Sequence, residues 1–286
     1  MLESKRKVKV PEGDWTGFIG VHGHKSPYLI LDDLLDTSCF DALHEEICLG
    51  LVNADHSYIG GNHKSTNIVP PEFADDEYKD FGYVIANFTD EEFEVFMRLA
   101  DGRVNIDMSN WRSYTFGEDG QIELSWRQLQ YLKIKYGVYF PWKGFVEFLP
   151  GDTNWNTKHL VDAQFPDHIQ YSFPRTCAYL RSLPFESIGR CNVMGLEAND
   201  HGTIHRDNFE MLHNPPINDF ITICPGGNKD LFLYNSEQRR KEFIPPCKAY
   251  TFNDMNYHGV AAAPYYRYSI RVDGIFTDEF REQISA

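Results

Sequence analysis

Short apolar runs separated by turn residues fill the second half of the chain. Aromatic and β-branched residues dominate these runs and predict strands, and Pro225-Gly-Gly-Asn is a strong turn signal between two of them. Strands are predicted over 187–196, 202–207, 219–224, 230–234, 249–252, 259–261 and 266–273. Short strands at roughly even spacing favour a closed or double-sheet β architecture.

The first half carries helix signals instead. An apolar pattern with helical spacing over 34–51 predicts a first helix, with its N-cap among residues 36–38. A capping box formed by Thr89 and Glu92 predicts the start of a second helix, and Ser125 is the predicted N-cap of a third. Pro174 is placed for the first turn of a fourth helix. Gly102 and Gly137 are predicted C-terminal stops. The fold class is therefore mainly β with packing helices (α+β): a helical and irregular extension over 1–140 packed on a core over 141–286. Two polar stretches, 57–80 and 151–157, are predicted loops, the first either a lid or a surface excursion.

Composition narrows the function classes. The chain has 286 residues and 42% hydrophobic residues, enough for a sizeable core, but no apolar run of membrane-spanning length, so no membrane association is expected. The six cysteines form no CxxC pair or disulfide-framework spacing, which favours reduced thiols and a cytoplasmic location. A net charge of −15 disfavours nucleic acid and favours a small-molecule or peptide substrate.

Candidate metal ligands lie on two of the predicted strands. His205 and Asp207 are two residues apart, so an extended strand points both to the same side. His258 is far enough along the chain for several strands to intervene. Two histidines and one carboxylate, with the other coordination positions open, are the ligand set of non-haem Fe(II) oxygenases. Beyond His258, Arg267 and Ser269 share a strand face by the same alternation and offer a guanidinium and a hydroxyl to a carboxylate.

These motifs resemble those of the Fe(II)/2-oxoglutarate-dependent oxygenases, and within them the aspartyl/asparaginyl β-hydroxylase-like branch, which includes free-proline hydroxylases. The similarity covers about 173–276, from Phe173-Pro-Arg-Thr through Gly202-Thr-Ile-His205 to Arg267. It implies a double-stranded β-helix (jelly-roll, cupin-like) core and Fe(II), 2-oxoglutarate and O₂ as cofactors. Aspartyl hydroxylases proper lack the metal carboxylate, so the presence of Asp207 favours the free-amino-acid-hydroxylase side of the branch or another relative with a His-x-Asp motif.

The resemblance also implies roles for cofactor-binding residues. Arg267, followed by x-Ser269, is the pattern that such enzymes use for the distal carboxylate of 2-oxoglutarate. Asn192, on the strand before the metal ligands, is a candidate polar contact to 2-oxoglutarate. Arg271 shares the face of Arg267 and has three possible roles: the second half of the anion clamp, a contact to a substrate carboxylate, or an ion pair with an acidic residue.

The implied reaction is hydroxylation of an unactivated C–H bond of a small molecule, such as an amino acid or its derivative, with release of succinate and CO₂. Desaturation, cyclisation or protein-residue hydroxylation would use the same cofactors. The ligand residues alone would also suit a non-catalytic cupin-like binding protein or a zinc hydrolase, but both of these functions leave Arg267 and Ser269 without a role.

Overall fold

Two antiparallel sheets and their packing helices make up the described part of the chain. The structure, a computed structural model, describes residues 7–54, 70–73, 81–102, 104–117, 121–138, 146–149, 164–207 and 219–286. The helices are α1 (Phe40–Asn53), α2 (Phe81–Ala86), α3 (Asp90–Met97), α4 (Trp126–Tyr136), α5 (Asp167–Ser172), α6 (Pro174–Arg181) and α7 (Asp278–Ile284). Within these described ranges, none of the helices has the length and apolar character that a membrane crossing requires.

The strands form one sheet of six and one of four. They are β1 (Tyr28–Ile30), β2 (Val146–Glu147), β3 (Phe185–Leu196), β4 (Gly202–His205), β5 (Phe220–Ile223), β6 (Leu231–Asn235), β7 (Arg240–Phe243), β8 (Ala249–Phe252), β9 (Tyr257–Val260) and β10 (Arg267–Phe276). The six-stranded sheet has the order β1-β8-β5-β10-β3-β2, and the four-stranded sheet has the order β4-β9-β6-β7. From β3 to β10 the chain passes back and forth between the sheets, with the β6–β7 hairpin inside the smaller one.

The two faces of β10 have opposite character, because successive side chains of a strand point to opposite sides. Ile270 and Val272 are fully buried in the largest apolar cluster, together with Ile47 of α1, Leu180 of α6 and Phe280 of α7. This cluster covers the sheet with helices. The alternate positions of β10 are polar and also buried: Arg267, Ser269, Arg271 and Asp273.

A second apolar cluster joins the two sheets on the polar side of β10. Leu196 and Phe252 of the six-stranded sheet pack there with Leu231, Leu233 and Val260 of the four-stranded sheet. The polar face of β10 therefore belongs to the space between the sheets, where water is largely excluded. The predicted α+β architecture of antiparallel strands with packing helices is confirmed.

Predicted helix start and stop signals are confirmed on three helices, α3, α4 and α6. Thr89 and Glu92 form a reciprocal capping box on α3, and Ser125 forms another at the start of α4. Gly137 ends α4 in the left-handed conformation, at φ 68°. Pro174 occupies the first turn of α6.

The first helix begins slightly later than predicted. The sequence predicts an N-cap among residues 36–38, but the N-cap is Cys39 and α1 begins at Phe40. The backbone N–H groups of Leu34 and Leu35 donate to the carbonyl oxygen of Leu31, so these leucines pack against the core from a turn. Asp36 accepts a hydrogen bond from the backbone of Ser38 in the same turn and does not cap the helix.

Three short edge strands, β1, β2 and β7, were not predicted from the sequence. β1 has three residues and β2 has two, too few for a period to be recognised. β7 consists of three charged residues followed by one apolar residue, yet it pairs with β6 over four residues. Two predicted boundaries also differ: β9 covers Tyr257–Val260, and β10 continues to Phe276 through bulges after Asp273.

Some predictions concern residues that the structure does not describe. The loop predicted over 151–157 lies outside the described residues, as does most of the loop predicted over 57–80. The division of the chain near residue 140 stays a prediction. Within the described ranges, β1 comes from the predicted extension and pairs with β8 of the core sheet.

Packing of α1 on the start of α6 gives a stability prediction. A Cβ at Gly50 would collide with the ring of Phe173, which is fully buried. We expect Gly50→Ala to lower the free energy of unfolding by about 1–3 kcal/mol through overpacking, although alanine is the better helix former. Urea unfolding followed by circular dichroism measures this. The control Leu49→Ala, at a position 70% exposed, should change the stability by less than about 0.5 kcal/mol. A stabilised Gly50→Ala variant would contradict the packing argument.

Candidate metal centre

Two histidines face each other across neighbouring strands. β4 and β9 are paired antiparallel, and His205 and His258 are partners in the register. Their ring centroids lie 4.5 Å apart, with the ring planes inclined at 53°. Directly opposed positions in an antiparallel pair bring side chains together on one face of the sheet. The register therefore joins two histidines that are distant in sequence.

Backbone carbonyl groups fix the orientation of both rings. Nδ1 of His205 lies 2.8 Å from the carbonyl oxygen of Thr203, and Nδ1 of His258 lies 3.0 Å from that of Asn256. A carbonyl oxygen can only accept, so each Nδ1 carries the proton and donates it. In a neutral imidazole the lone pair is then on Nε2, which is the atom that coordinates a metal.

The third candidate ligand comes just after β4. Oδ1 of Asp207 lies 4.0 Å from Nε2 of His205 and 4.0 Å from Nε2 of His258. The strand ends at His205, and the backbone N–H of Asp207 donates to the carbonyl oxygen of Asp254 at 3.2 Å. The predicted grouping of the three residues is thus what the structure shows, although Asp207 is held by a turn and not by the strand.

The three side chains have the donor set of a metal site and lie close together. Their ligand atoms all lie within 4.8 Å of one another. Because metal–ligand bonds to nitrogen and oxygen are about 2.0–2.2 Å, ligands at right angles on one side of an ion lie about 3 Å apart. Closing this group on an ion therefore requires the ligand atoms to approach one another by roughly 1–2 Å. Two neutral histidines and one carboxylate on one side of an ion suit Fe(II) and leave other positions open.

His258 is held in the neutral form that coordination requires. Burial lowers the pKa of His258 to about 3, and the neighbouring His205 acts in the same direction. A histidine at this position is uncharged at neutral pH, so no proton has to leave before a metal binds.

Arg271 forms a dense set of ion pairs beside the histidines. Its Nη1 lies 3.2 Å from Oδ2 of Asp207, and one Nη2 hydrogen bond to Asp254 is 2.7 Å long. Nε and Nη2 also donate to Asp273 at 2.9–3.0 Å. Burial alone would lower the pKa of Arg271, but the three carboxylates raise it well above its ordinary value. Of the three roles left open by the sequence, the ion pair is the one that the structure contains.

Arg267 and Ser269 lie together in a second buried polar group. Nε of Arg267 donates to the carbonyl oxygen of Lys229 at 3.2 Å, and Nη2 donates to the carbonyl oxygens of Asp200 and Ala261. Ser269 accepts a 2.8 Å hydrogen bond from Nζ of Lys229. The guanidinium of Arg267, the amino group of Lys229 and the hydroxyl of Ser269 therefore meet on the polar face of β10.

Lys229 was not among the residues predicted from the sequence. It is almost fully buried, and burial lowers the pKa of its ammonium group to about 7. A lysine between a Pro-Gly-Gly-Asn turn and a strand is usually exposed to solvent, so the sequence gives no reason to expect its burial. One signal could have found it: Lys229 stands two residues before Leu231, which faces the space between the sheets.

Asn192 lies in the same row of side chains as Arg271. The two are register partners on β3 and β10. Asn192 is fully buried, and neither its Nδ2 nor its Oδ1 has a hydrogen-bond partner among the described residues. Buried amide groups are nearly always hydrogen-bonded, so Asn192 is a candidate for a ligand contact. The structure thus places the predicted polar residues of β3 and β10 in the interior between the sheets, with Arg271 in contact with the candidate metal ligand Asp207.

Comparison with known proteins gives little guidance. No family model matches the chain, and no curated protein is similar to it. Among solved structures, similarity is found to a 2OG-Fe(II) oxygenase family oxidoreductase from Burkholderia pseudomallei (12% identity, 50% of this chain and 72% of that one, TM-score 0.28). A prolyl-4-hydroxylase from Pseudomonas putida is similar at 12% identity over 45% and 69% of the two chains, with a TM-score of 0.25. TM-scores and identities of this size establish neither fold nor activity.

The neutral His258 leads to a prediction about pH. Its ordinary pKa is 6.5, so the unfolded chain takes up a proton there before the folded protein does. We expect the stabilisation from neutral His258 to be complete above pH 6.5 and to be lost as the pH falls towards 3. Urea unfolding of the metal-free protein between pH 7.5 and 4 measures this. His258→Gln, which cannot titrate, should show a flatter decline, and equal slopes for the two proteins would contradict the prediction.

Proposed function

We propose that this chain is an Fe(II)- and 2-oxoglutarate-dependent dioxygenase that hydroxylates an unactivated C–H bond of a small molecule. One observation carries the proposal: two histidines with backbone-fixed Nδ1–H groups direct Nε2 towards a single carboxylate oxygen, while Arg267, Ser269 and Lys229 form a buried polar group at β10 of the other sheet. A bound metal ion alone would account for the grouping of His205, Asp207 and His258. The second group, Arg267 with Ser269 and Lys229, calls for an anion as well.

His205, Asp207 and His258 would hold Fe(II), which supplies the activation of O₂ that C–H hydroxylation requires. The protein's contribution is orientation and exclusion of water. The carbonyl groups of Thr203 and Asn256 keep both imidazole rings in the coordinating tautomer. Partial burial of all three ligands shields the centre from solvent.

The distal carboxylate of 2-oxoglutarate would lie against Arg267, Ser269 and Lys229. A guanidinium binds a planar carboxylate by parallel charge-assisted hydrogen bonds, and an ammonium adds a point charge. Asn192 would contact 2-oxoglutarate nearer the metal through its free amide atoms. Overall, one oxygen atom of O₂ enters the substrate as a hydroxyl group, and the other enters succinate while CO₂ is released.

Strand order supports a double-stranded β-helix as the core. Numbered from β3 to β10, the eight strands pair as first-eighth-third-sixth in one sheet and second-seventh-fourth-fifth in the other. This order is the one expected when a long hairpin is wound into two facing sheets, as in jelly rolls and cupins. The presence of Asp207 in the metal-ligand pattern is the reason for proposing the branch that includes free-amino-acid hydroxylases. The proposed substrate class is therefore an amino acid or its derivative.

Loss of the metal carboxylate is the first test of this function. We expect the Fe(II)-loaded wild type to form succinate from 2-oxoglutarate in air, and a pool of amino acids containing the substrate should stimulate it. Asp207→Ala removes an anionic ligand and should abolish the turnover. Succinate is measured by mass spectrometry, with Asp14→Ala, an exposed carboxylate distant in sequence, as the matched control. Full activity of Asp207→Ala would exclude the assigned site, and absence of both iron and turnover in the wild type would favour a non-catalytic binding protein.

The anion pocket gives a separate kinetic prediction. Lys229→Met preserves the length of the side chain but removes the charge, and Arg267→Gln removes the guanidinium. Because a hydrogen bond to a charged group contributes about 1.5–3 kcal/mol, we expect the KM for 2-oxoglutarate to rise about 10- to 100-fold in each variant. The KM for the stimulating substrate should change much less. An unchanged KM for 2-oxoglutarate in both variants would exclude this group of residues as the anchor.

A further inference from the structure

The guanidinium of Arg271 is enclosed by three carboxylates in the interior of the protein. Arg271 is 5% exposed, while Asp254 is 0% and Asp273 1% exposed. Asp254 and Asp273 bind the guanidinium at 2.7 and 2.9 Å, and Asp207 binds it at 3.2 Å. We call these four residues the arginine cage. Its members are held on three elements, so the cage has consequences beyond one strand.

The arginine cage connects the six-stranded sheet to the segments that bear the metal ligands. Arg271 and Asp273 lie on β10, in the middle of that sheet. Asp254 lies in the turn between β8 and β9, four residues before His258, and its carbonyl oxygen accepts from the backbone N–H of Asp207. Asp207 is therefore held twice: by its backbone to the turn and by its side chain to the central strand.

The two oxygens of Asp207 point to different partners. Oδ1 is the atom that lies 4.0 Å from Nε2 of both histidines, whereas Oδ2 accepts the hydrogen bond from Arg271. We propose that Arg271, anchored by Asp254 and Asp273, is a positioning residue that presents Asp207 to the metal through Oδ1 alone. This inference rests on the metal centre proposed above, and it identifies the residue that sets the orientation of one of its ligands.

Only an arginine can satisfy this set of partners. A guanidinium has five N–H donors in one plane, directed along its edges, so three carboxylates can bind it from different sides. The ring of Phe220 lies 3.9 Å from the guanidinium carbon and occupies one of its faces. An ammonium group at the same place would carry the same charge without the fork, and could not hold all three carboxylates in these directions.

Charge and geometry make opposite predictions for the removal of this arginine. When ionised, the three carboxylates and the guanidinium have a formal charge of −2, which a divalent cation would neutralise. If Arg271 acted only by its charge, Arg271→Gln would bind a divalent cation more tightly and Arg271→Lys would bind it unchanged. If Arg271 acts by position, both variants bind it more weakly, because Asp207 is no longer oriented.

Co(II) binding distinguishes the two roles, since the visible absorption of protein-bound Co(II) depends on the number and arrangement of its ligands. We expect Arg271→Lys to lose about 10- to 100-fold in Co(II) affinity, as is typical when the support of a metal ligand is removed, and to show shifted visible bands. Thermal unfolding of the metal-free variant checks that the fold is intact. Arg281→Lys is the matched control, because it alters an arginine–aspartate pair, with Asp219, outside the cage.

The outcomes separate this inference from the function on which it rests. Wild-type affinity and spectrum in Arg271→Lys, or tighter binding by Arg271→Gln, would overturn the positioning role. If Arg271→Lys does not fold, Asp273→Asn replaces it: the guanidinium stays but loses one anchor, so the bands should shift with a smaller loss of affinity, and an unchanged spectrum overturns the proposal. A wild type that binds Co(II) no better than Asp207→Ala would instead refute the metal centre itself.

Discussion

Carboxylates buried between two sheets are the constraint on which the rest of the interior depends. Asp254 and Asp273 have almost no contact with solvent, and a buried charge is tolerated only if it is paired and hydrogen-bonded. Arg271 provides the pairing for both, and for Asp207 as well. β10 has a neighbouring strand on each side, which keeps these side chains away from the edge of the sheet.

β10 brings the two candidate binding functions into one rigid element. Arg267 and Ser269 face the inter-sheet space at one end of the strand, and Arg271 and Asp273 follow on the same face. Their separation is set by strand geometry and not by a loop. A cosubstrate bound by Arg267 and Ser269 would therefore keep a fixed distance from a metal whose carboxylate ligand is held by Arg271. Catalysis requires pre-organisation of this kind.

The sequence predicts local features better than the contacts between distant ones. Strand alternation correctly grouped Arg267 with Ser269, and capping residues such as Thr89 and Ser125 marked helix starts, because both signals depend on neighbours in sequence. The register of β4 against β9, which opposes His205 and His258, depends on the whole sheet. Lys229 and Asp254 follow turn residues and look like solvated polar positions. Their burial results from long-range packing, which no local pattern records.

Pairing of β1 with β8 has a consequence for folding. Residues 28–30 cover the backbone edge of β8, and the segment around them contributes Leu29 and Leu31 to the largest apolar cluster. An uncovered edge strand presents unpaired N–H and C=O groups that readily pair with another chain. β1, from the N-terminal part of the sequence, therefore covers the backbone edge that β8 would otherwise expose. A C-terminal fragment that begins near residue 140 would lack β1 and leave the backbone edge of β8 available for pairing with a second chain.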